Sequence, residues 1–367
     1  VAEIRVENLR KAFGTFEAVK GSTFTVADGE FCCLLGPSGC GKTTTLRMIA
    51  GLELPTEGRI VLGGEDVTFK RASERDIAMV FQLFALYPHM SVRKNIAYPL
   101  ANVGTPKGEI VRRVEEAARI LQITHLLERS VSGLSGGDRQ RVALGRSIVR
   151  EPKAFMMDEP LGALDSEFRE VMCRELRALH NRLKATTVYV THDQLEAMAM
   201  ADKIAVMNKG AIEQYAAPQE IYDRPATLFV ADFIGSPAMN LIEFSGPLAA
   251  GAQEVALPNG GQRIPELREP AGSQPYLMGV RPEHVQLAEE GPVRGEIFGI
   301  EYLGTTQIVT IKTDVGTVRA RMSSDVRVSE REKVTLRLAP EKLSIFERDS
   351  GRALRSALND RAGGGRG

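Results

Sequence analysis

Eight consecutive residues, Gly36-Pro37-Ser38-Gly39-Cys40-Gly41-Lys42-Thr43, fit the pattern G-x-x-x-x-G-K-[ST]. Glycines let a backbone curl until successive N–H groups face one concavity, and such a concavity holds phosphate oxygens. The apolar run Phe31-Cys32-Cys33-Leu34-Leu35 before the loop predicts a buried strand, and Thr44 opens a helical run over 44–50. A helix starting there adds its positive end to the concavity. Lys42 would reach the outer phosphates and the Thr43 hydroxyl would ligate Mg²⁺. Kinases, GTPases and motors share the pattern, so alone it implies nucleotide binding and no particular reaction.

Two further groups have suitable types and places. Met156-Met157-Asp158-Glu159 ends an apolar run with adjacent carboxylates. Standing alone, such a pair is more often a solvated helix cap. Beside a phosphate loop, Asp158 is expected to hold Mg²⁺ through water and Glu159 to take a proton from an attacking water. Leu134-Ser135-Gly136-Gly137-Asp138 precedes a helical pattern over 139–150. It reads either as a plain serine cap or as a second anion-binding helix start.

Positioning these groups requires a sheet. Ile77-Ala78-Met79-Val80-Phe81, Ala154-Phe155-Met156-Met157 and Thr187-Val188-Tyr189-Val190 are short apolar runs like 31–35, and helical patterns over 107–127 and 166–183 lie between them. Strands alternating with helices predict an α/β fold with a mainly parallel sheet. Asn208-Lys209-Gly210 between two apolar runs predicts a hairpin. Beyond Gly235-Ser236-Pro237 the pattern changes to short alternating segments, 295–300, 307–311, 317–321 and 333–338, which predict a small antiparallel barrel. The expected organisation is a first domain over 1–235 with a helical subdomain at about 83–150, an all-β domain over 236–350, and a frayed tail over 351–367.

Composition narrows the classes. Of 367 residues, 43% are hydrophobic, enough for a sizeable core. Lys+Arg and Asp+Glu both number 47, so net charge gives no push towards nucleic acid or an anionic membrane. No apolar run reaches the roughly 18 residues that a membrane-spanning helix needs. The N-terminus lacks a signal peptide's apolar core, and Cys32, Cys33, Cys40 and Cys173 show no metal-ligand spacing. A reduced cytosolic compartment is expected.

Taken in order along 1–235, these motifs resemble those of the ABC ATPases. The resemblance implies a P-loop NTPase domain that binds ATP and Mg²⁺, in which Ser135, Gly136, Gly137 and Asp138 of one protomer close over ATP held by the phosphate loop of the other. It further implies that Gln82 touches Mg²⁺ and relays contact with membrane subunits. By the same resemblance His192, in Val-Thr-His-Asp, is the switch histidine near the γ-phosphate, and Phe13 stacks on adenine with Val19 at its flank. Two positions depart from the family pattern: Asp138 stands where Gln is common, and Gly162 where Ser is common. An acid near phosphate is unfavourable unless it turns away, so Asp138 is expected to face the helix start or the partner.

The stretch Phe84-Ala85-Leu86-Tyr87-Pro88-His89-Met90 resembles the groove of import ATPases that receives a membrane subunit. Phe233-Ile234-Gly235-Ser236-Pro237-Ala238-Met239-Asn240 and Gly279-Val280-Arg281-Pro282-Glu283-His284 resemble the carbohydrate-uptake subfamily and its oligonucleotide-fold-like C-terminal barrel. The implied partners are two transmembrane permease subunits, a second copy or close homologue of the ATPase, and, indirectly, a periplasmic or lipid-anchored solute-binding protein. The implied place is the cytoplasmic face of the inner membrane, held peripherally. No nucleic-acid partner is expected, because no row of aromatics interleaves with Arg or Lys. A motor for polyamine, iron or sulfate uptake shares the first domain and a related barrel; the Gly-Ser-Pro-Ala-Met-Asn junction favours a sugar or sugar-derived solute.

Overall fold

The computed structural model describes residues 2–81, 85–162 and 166–360. The chain forms two compact units, 1–218 and 219–367.

In the first unit, β1 (Ile4–Phe13) and β2 (Phe16–Val26) form an antiparallel pair, followed by β3 (Phe31–Leu35), α1 (Lys42–Ile49), β4 (Glu57–Leu62), β5 (Glu65–Asp66) and β6 (Ile77–Val80). The helices α2 (Val92–Asn102), α3 (Lys107–Ile120) and α4 (Gly136–Ile148) come next, then β7 (Ala154–Asp158), α5 (Ser166–Leu183), β8 (Thr186–Thr191), α6 (Gln194–Met200), β9 (Lys203–Asn208) and β10 (Ala211–Ala216). The central sheet runs β10-β9-β3-β8-β7-β6, parallel except for β10, which hairpins back along β9. Every residue of β3 and β8 is buried, as strands covered on both faces must be. The second sheet, β2-β1-β4-β5, is antiparallel, and α1 contributes Leu46, Met48 and Ile49 to the core it shares with the central sheet.

The helical pattern over 107–127 stops at Ile120. Gln122 adopts φ 59°, and the N–H groups of Ile123 and Gln122 donate to the carbonyls of Ala118 and Arg119. That pairing closes a helix end regardless of the apolar residues beyond it. The carbonyl end of α1 is closed differently: the fully buried Arg75 guanidinium donates to Met48 and Ile49 oxygens at 2.7 and 2.8 Å. Among the described residues no helix is long and apolar enough to cross a membrane.

The second unit begins with α7 (Pro218–Asp223) and α8 (Leu228–Phe233), the former overlapping the boundary by one residue. Its strands are β11 (Asn240–Ser245), β12 (Glu254–Leu257), β13 (Gly260–Arg263), β14 (Pro275–Val280), β15 (Val285–Ala288), β16 (Val293–Tyr302), β17 (Thr306–Thr313), β18 (Gly316–Ser323), β19 (Lys333–Leu338) and β20 (Ser344–Glu347). They make a five-stranded antiparallel sheet, β15-β19-β16-β17-β18, a three-stranded one, β11-β14-β20, and the β12–β13 hairpin around one apolar core. Asn240 acts as a side-chain strand: its amide nitrogen donates to the Arg319 carbonyl and its oxygen accepts the Arg319 N–H, both at 2.8 Å. The edge of β18 is thereby paired.

The compact units divide at 218/219 instead of 235/236, and Arg281 gives the reason. This buried residue donates to the carbonyl oxygens of Tyr222, Ala231 and Ile234 and lies 4.3 Å over the Tyr222 ring. The two short helices before the composition change thus belong to the β-rich unit. The segment after 350 also differs from a frayed tail as far as residue 360. Leu354 is buried and donates to the Ile345 carbonyl at 2.7 Å, Ser356 bridges to Leu267, and a last turn, α9 (Ala357–Asp360), pairs with Arg268. Residues 361–367 lie outside the described residues.

Replacing Arg281 with Met leaves several buried carbonyls without a donor, each worth roughly 1–3 kcal/mol. Denaturant unfolding of the full chain should show a loss of about 3 kcal/mol in the transition of the β-rich unit; an unchanged midpoint counts against this role.

Candidate functional site

The site lies where β3, β7 and β8 end. Parallel strands put their C-terminal ends at one edge of a sheet, and the turns leaving that edge carry the chemistry. The loop after β3 is tightly seated. A Cβ on Gly36 would lie 2.2 Å from the Met207 carbonyl oxygen and 2.7 Å from Cys40 Sγ, so no side chain fits. Gly41, the N-cap of α1, has φ 103°, and a Cβ there would meet the Ala18 oxygen at 2.5 Å. Ser38 and Gly39 are exposed at the crest, whereas Cys40 is buried. Burial pushes the Cys40 thiol up, with the Lys42 ammonium pulling against the rise.

Lys42 is buried and folded along its own loop, donating to the Gly36 and Pro37 carbonyls at 2.8 and 2.9 Å. Thr43 is exposed at the first turn of α1, and its hydroxyl donates to Asp158 Oδ1 at 3.0 Å. Thr44 is half-buried beside it. Burial raises the Asp158 carboxyl above its ordinary range; the Thr43 hydroxyl opposes the rise and the Glu159 charge adds to it. A hydroxyl and a carboxylate converging at a phosphate loop form a hard oxygen donor set of the kind Mg²⁺ takes with substrate phosphates. Among the described residues no group of three His, Cys, Asp or Glu stands together as a cage.

Glu159 follows Asp158 with φ 44°, the left-handed region, where a non-glycine residue costs about 1–2 kcal/mol. Its N–H is tied to the Val190 carbonyl at 3.0 Å, and its carbonyl accepts the Gly162 N–H at 3.2 Å. This turn aims the carboxylate at the end of β8, where His192 Nδ1 lies 3.3 Å from Glu159 Oε2. Strain of this kind collects at working positions. Gly162 is exposed, and the segment after it, 163–165, lies outside the described residues.

Ser135 is the N-cap of α4, accepting the Asp138 N–H at 3.2 Å and donating its hydroxyl to Asp138 Oδ2 at 2.7 Å. Asp138 therefore turns towards the helix start, and Arg141 approaches it at 3.8 Å while pairing with Glu175 at 3.0 Å. Gly136 and Gly137 form the first turn, with Gly137 buried.

The remaining sequence-derived residues are placed unevenly. Phe13 ends β1 half exposed, with Lys11 Nζ 4.8 Å from its ring centre. Val19 is fully buried in the core directly beneath the phosphate loop, its methyl 3.4 Å from where a Gly41 Cβ would stand. A β-branched residue on the inward face of β2 packs under the loop. Gln82 and Phe84 lie outside the described residues. Sequence reasoning passed over a buried cluster behind His192. Glu196 accepts hydroxyls from Tyr189 and Thr191, both at 2.7 Å, and Arg169 approaches Glu196 and Asp193 at 3.5 and 3.0 Å. Its only sequence signal is Asp193 and Glu196 three apart at a helix start, which reads as an ordinary cap.

Gly36→Ala should weaken binding of a nucleoside triphosphate roughly tenfold or more, about 1.4 kcal/mol or more. Titration with a fluorescent triphosphate analogue checks this, and parental affinity would contradict the close packing.

The ABC transporter family matches residues 19–162, and the TOBE domain matches residues 278–346. The sn-glycerol-3-phosphate import ATP-binding protein UgpC of Cereibacter sphaeroides is 46% identical over 359 residues, covering 96% of this chain and 100% of its own. The trehalose/maltose import ATP-binding protein MalK of Thermococcus litoralis is 44% identical over 377 residues, with 96% and 100% covered. Among solved structures, cbiO1 of Clostridium perfringens, part of the ABC transporter complex cbiONQ, has a TM-score of 0.56 at 29% identity, covering 59% of this chain and 89% of that one. Relatives that align along nearly the whole length, through the phosphate-loop unit and the β-rich unit alike, place this chain among the ATP-binding proteins of the ABC transporter family.

Proposed function

We propose that this chain hydrolyses ATP to power import of a sugar or sugar-derived solute. One observation carries the hydrolytic part: Glu159 and His192 stand 3.3 Å apart at the ends of adjacent strands, next to the Thr43–Asp158 bond. The phosphate loop binds the β- and γ-phosphates through its backbone N–H groups, and Lys42 neutralises their charge. Thr43 would ligate Mg²⁺, Asp158 would hold it through water, and by the family resemblance Gln82 would be a third contact; the ion would offset negative charge on the phosphates. Glu159 Oε2 takes the proton of the attacking water. His192 orients that carboxylate and faces the γ-phosphate. Phe13, on the surface, offers a ring for adenine to stack on.

By the resemblance to ABC ATPases, the Ser135–Gly137 turn at the start of α4 serves ATP held by a second copy or a close homologue across a two-fold axis. The assembly is completed by two transmembrane permease subunits and, indirectly, a solute-binding protein. The chain is peripheral on the cytoplasmic face of the membrane. Import of sn-glycerol-3-phosphate and of trehalose or maltose by the named relatives supports a sugar, polyol or sugar-phosphate cargo.

Glu159→Gln should bind ATP with near-parental affinity while turnover falls by about 100-fold or more, and ATP should then hold it as a dimer. Phosphate release and light scattering read the two effects. Turnover at the parental rate would falsify the role of Glu159 as the base. Lys42→Ala should instead weaken nucleotide binding itself. Uptake assays on the assembled transporter with sugars, polyols and sugar phosphates test the cargo; transport of a polyamine, iron or sulfate in their place would overturn it.

A further inference from the structure

We infer that Glu196, acting through the Thr191 hydroxyl and with Arg169 behind it, is a positioning residue for His192. The inference rests on the reading of His192 given above. His192 is the single residue between the end of β8 and the N-cap of α6, and its side chain is 55% exposed. Among the described residues, only Glu159 pairs with the ring. Its aim is therefore set by the backbone on either side.

That backbone is closed by one hydroxyl. Thr191 Oγ1 accepts the Asp193 N–H at 3.0 Å, a ring that spans His192. The same hydroxyl donates its proton to Glu196 Oε2 at 2.7 Å. A hydroxyl has one proton, and with that proton committed to the carboxylate its lone pairs are turned to the Asp193 amide. Tyr189 donates to the same carboxylate oxygen at 2.7 Å, so two buried hydroxyls are oriented by one acid. The other carboxylate oxygen faces Arg169 Nε at 3.5 Å, and the same guanidinium holds Asp193 Oδ2 at 3.0 Å. Asp193 in turn caps α6, accepting the N–H groups of Leu195 and Glu196. Both neighbours of His192 thus converge on Glu196 and Arg169.

The cluster is built more expensively than a helix cap requires. Asp193 alone caps α6, whereas Glu196 is 4% exposed and a buried carboxylate is unfavourable unless its partners are fixed. Burial raises its carboxyl, and the Thr191 and Tyr189 hydroxyls oppose the rise. Arg169 lies in the first turn of α5. The cluster therefore ties the start of α5 to the turn that carries the histidine.

The test uses the full-length chain and steady-state ATP hydrolysis. Thr191→Val, of nearly the same shape, removes the hydroxyl and should lower kcat about tenfold with KM for ATP within about twofold. Thr191→Ser keeps the hydroxyl and should stay within about threefold of the parent. In a His192→Ala background, Thr191→Val should change kcat by less than about twofold, because the group it positions is gone. Glu196→Gln, close in shape, is run in parallel with the same pattern expected, so that a poorly folding variant does not leave the matter open. Parental kcat in both Thr191→Val and Glu196→Gln overturns the inference, as does an equal loss in the His192→Ala background or equal loss in Thr191→Ser. A His192→Ala chain with parental kcat overturns the role of His192 itself, and the inference with it.

Discussion

Thr43 reaches Asp158 across 3.0 Å because β3 and β7 run parallel, with β8 between them, and end at the same edge. Everything at the site depends on that shared edge. The loop after β3 brings its N–H groups and Lys42, the end of β7 brings Asp158 and Glu159, and the end of β8 brings His192. A parallel sheet supplies these from turns distant in sequence, since each crossover returns the chain to begin the next strand in the same direction. The burial of β3 and β8 on both faces makes that edge rigid.

Rigidity lets the turns themselves be strained. Glu159 holds a left-handed backbone, and Gly36 and Gly41 occupy places where any side chain would strike a carbonyl oxygen. Such turns persist only when their surroundings over-determine them. The N–H of Glu159 bound to Val190, the buried methyls of Val19 below the loop, and the hydroxyl of Thr191 closing the turn over His192 are those surroundings. Two buried arginines do comparable work away from the site. Arg75 closes the carbonyl end of α1, and Arg281 closes the carbonyl ends of the helices that open the β-rich unit. A guanidinium suits this task because its five donors can satisfy several carbonyls at once.

Much was legible along the chain wherever the information is local. The phosphate loop, the apolar strands around it, the hairpin at 208–210 and the strands of the β-rich unit declare themselves through glycine, lysine and alternation within a few residues of one another. The capped start at Ser135 and the acidic pair after β7 were visible too, although their part in the site became arguable only beside the loop. Local pattern misled where a distant partner decides. The helix expected to reach 127 ends at Ile120 because Gln122 turns left-handed, and the segment after 350 stays packed through residue 360 because Leu354 and Ser356 pair with Ile345 and, distant in sequence, Leu267.

The sequence by itself determined which chemistry is available: phosphate binding at 36–43, an acid pair at 158–159, and alternating elements able to form a parallel sheet. Tertiary structure alone decided which side chains meet. Val19 went to the core, Arg281 drew residues 219–234 into the second unit, and Glu196 joined Tyr189, Thr191 and Arg169 behind His192. The physical reason is that spacing along a strand or helix is set by the backbone repeat, whereas contact between elements depends on register and burial that no short window contains.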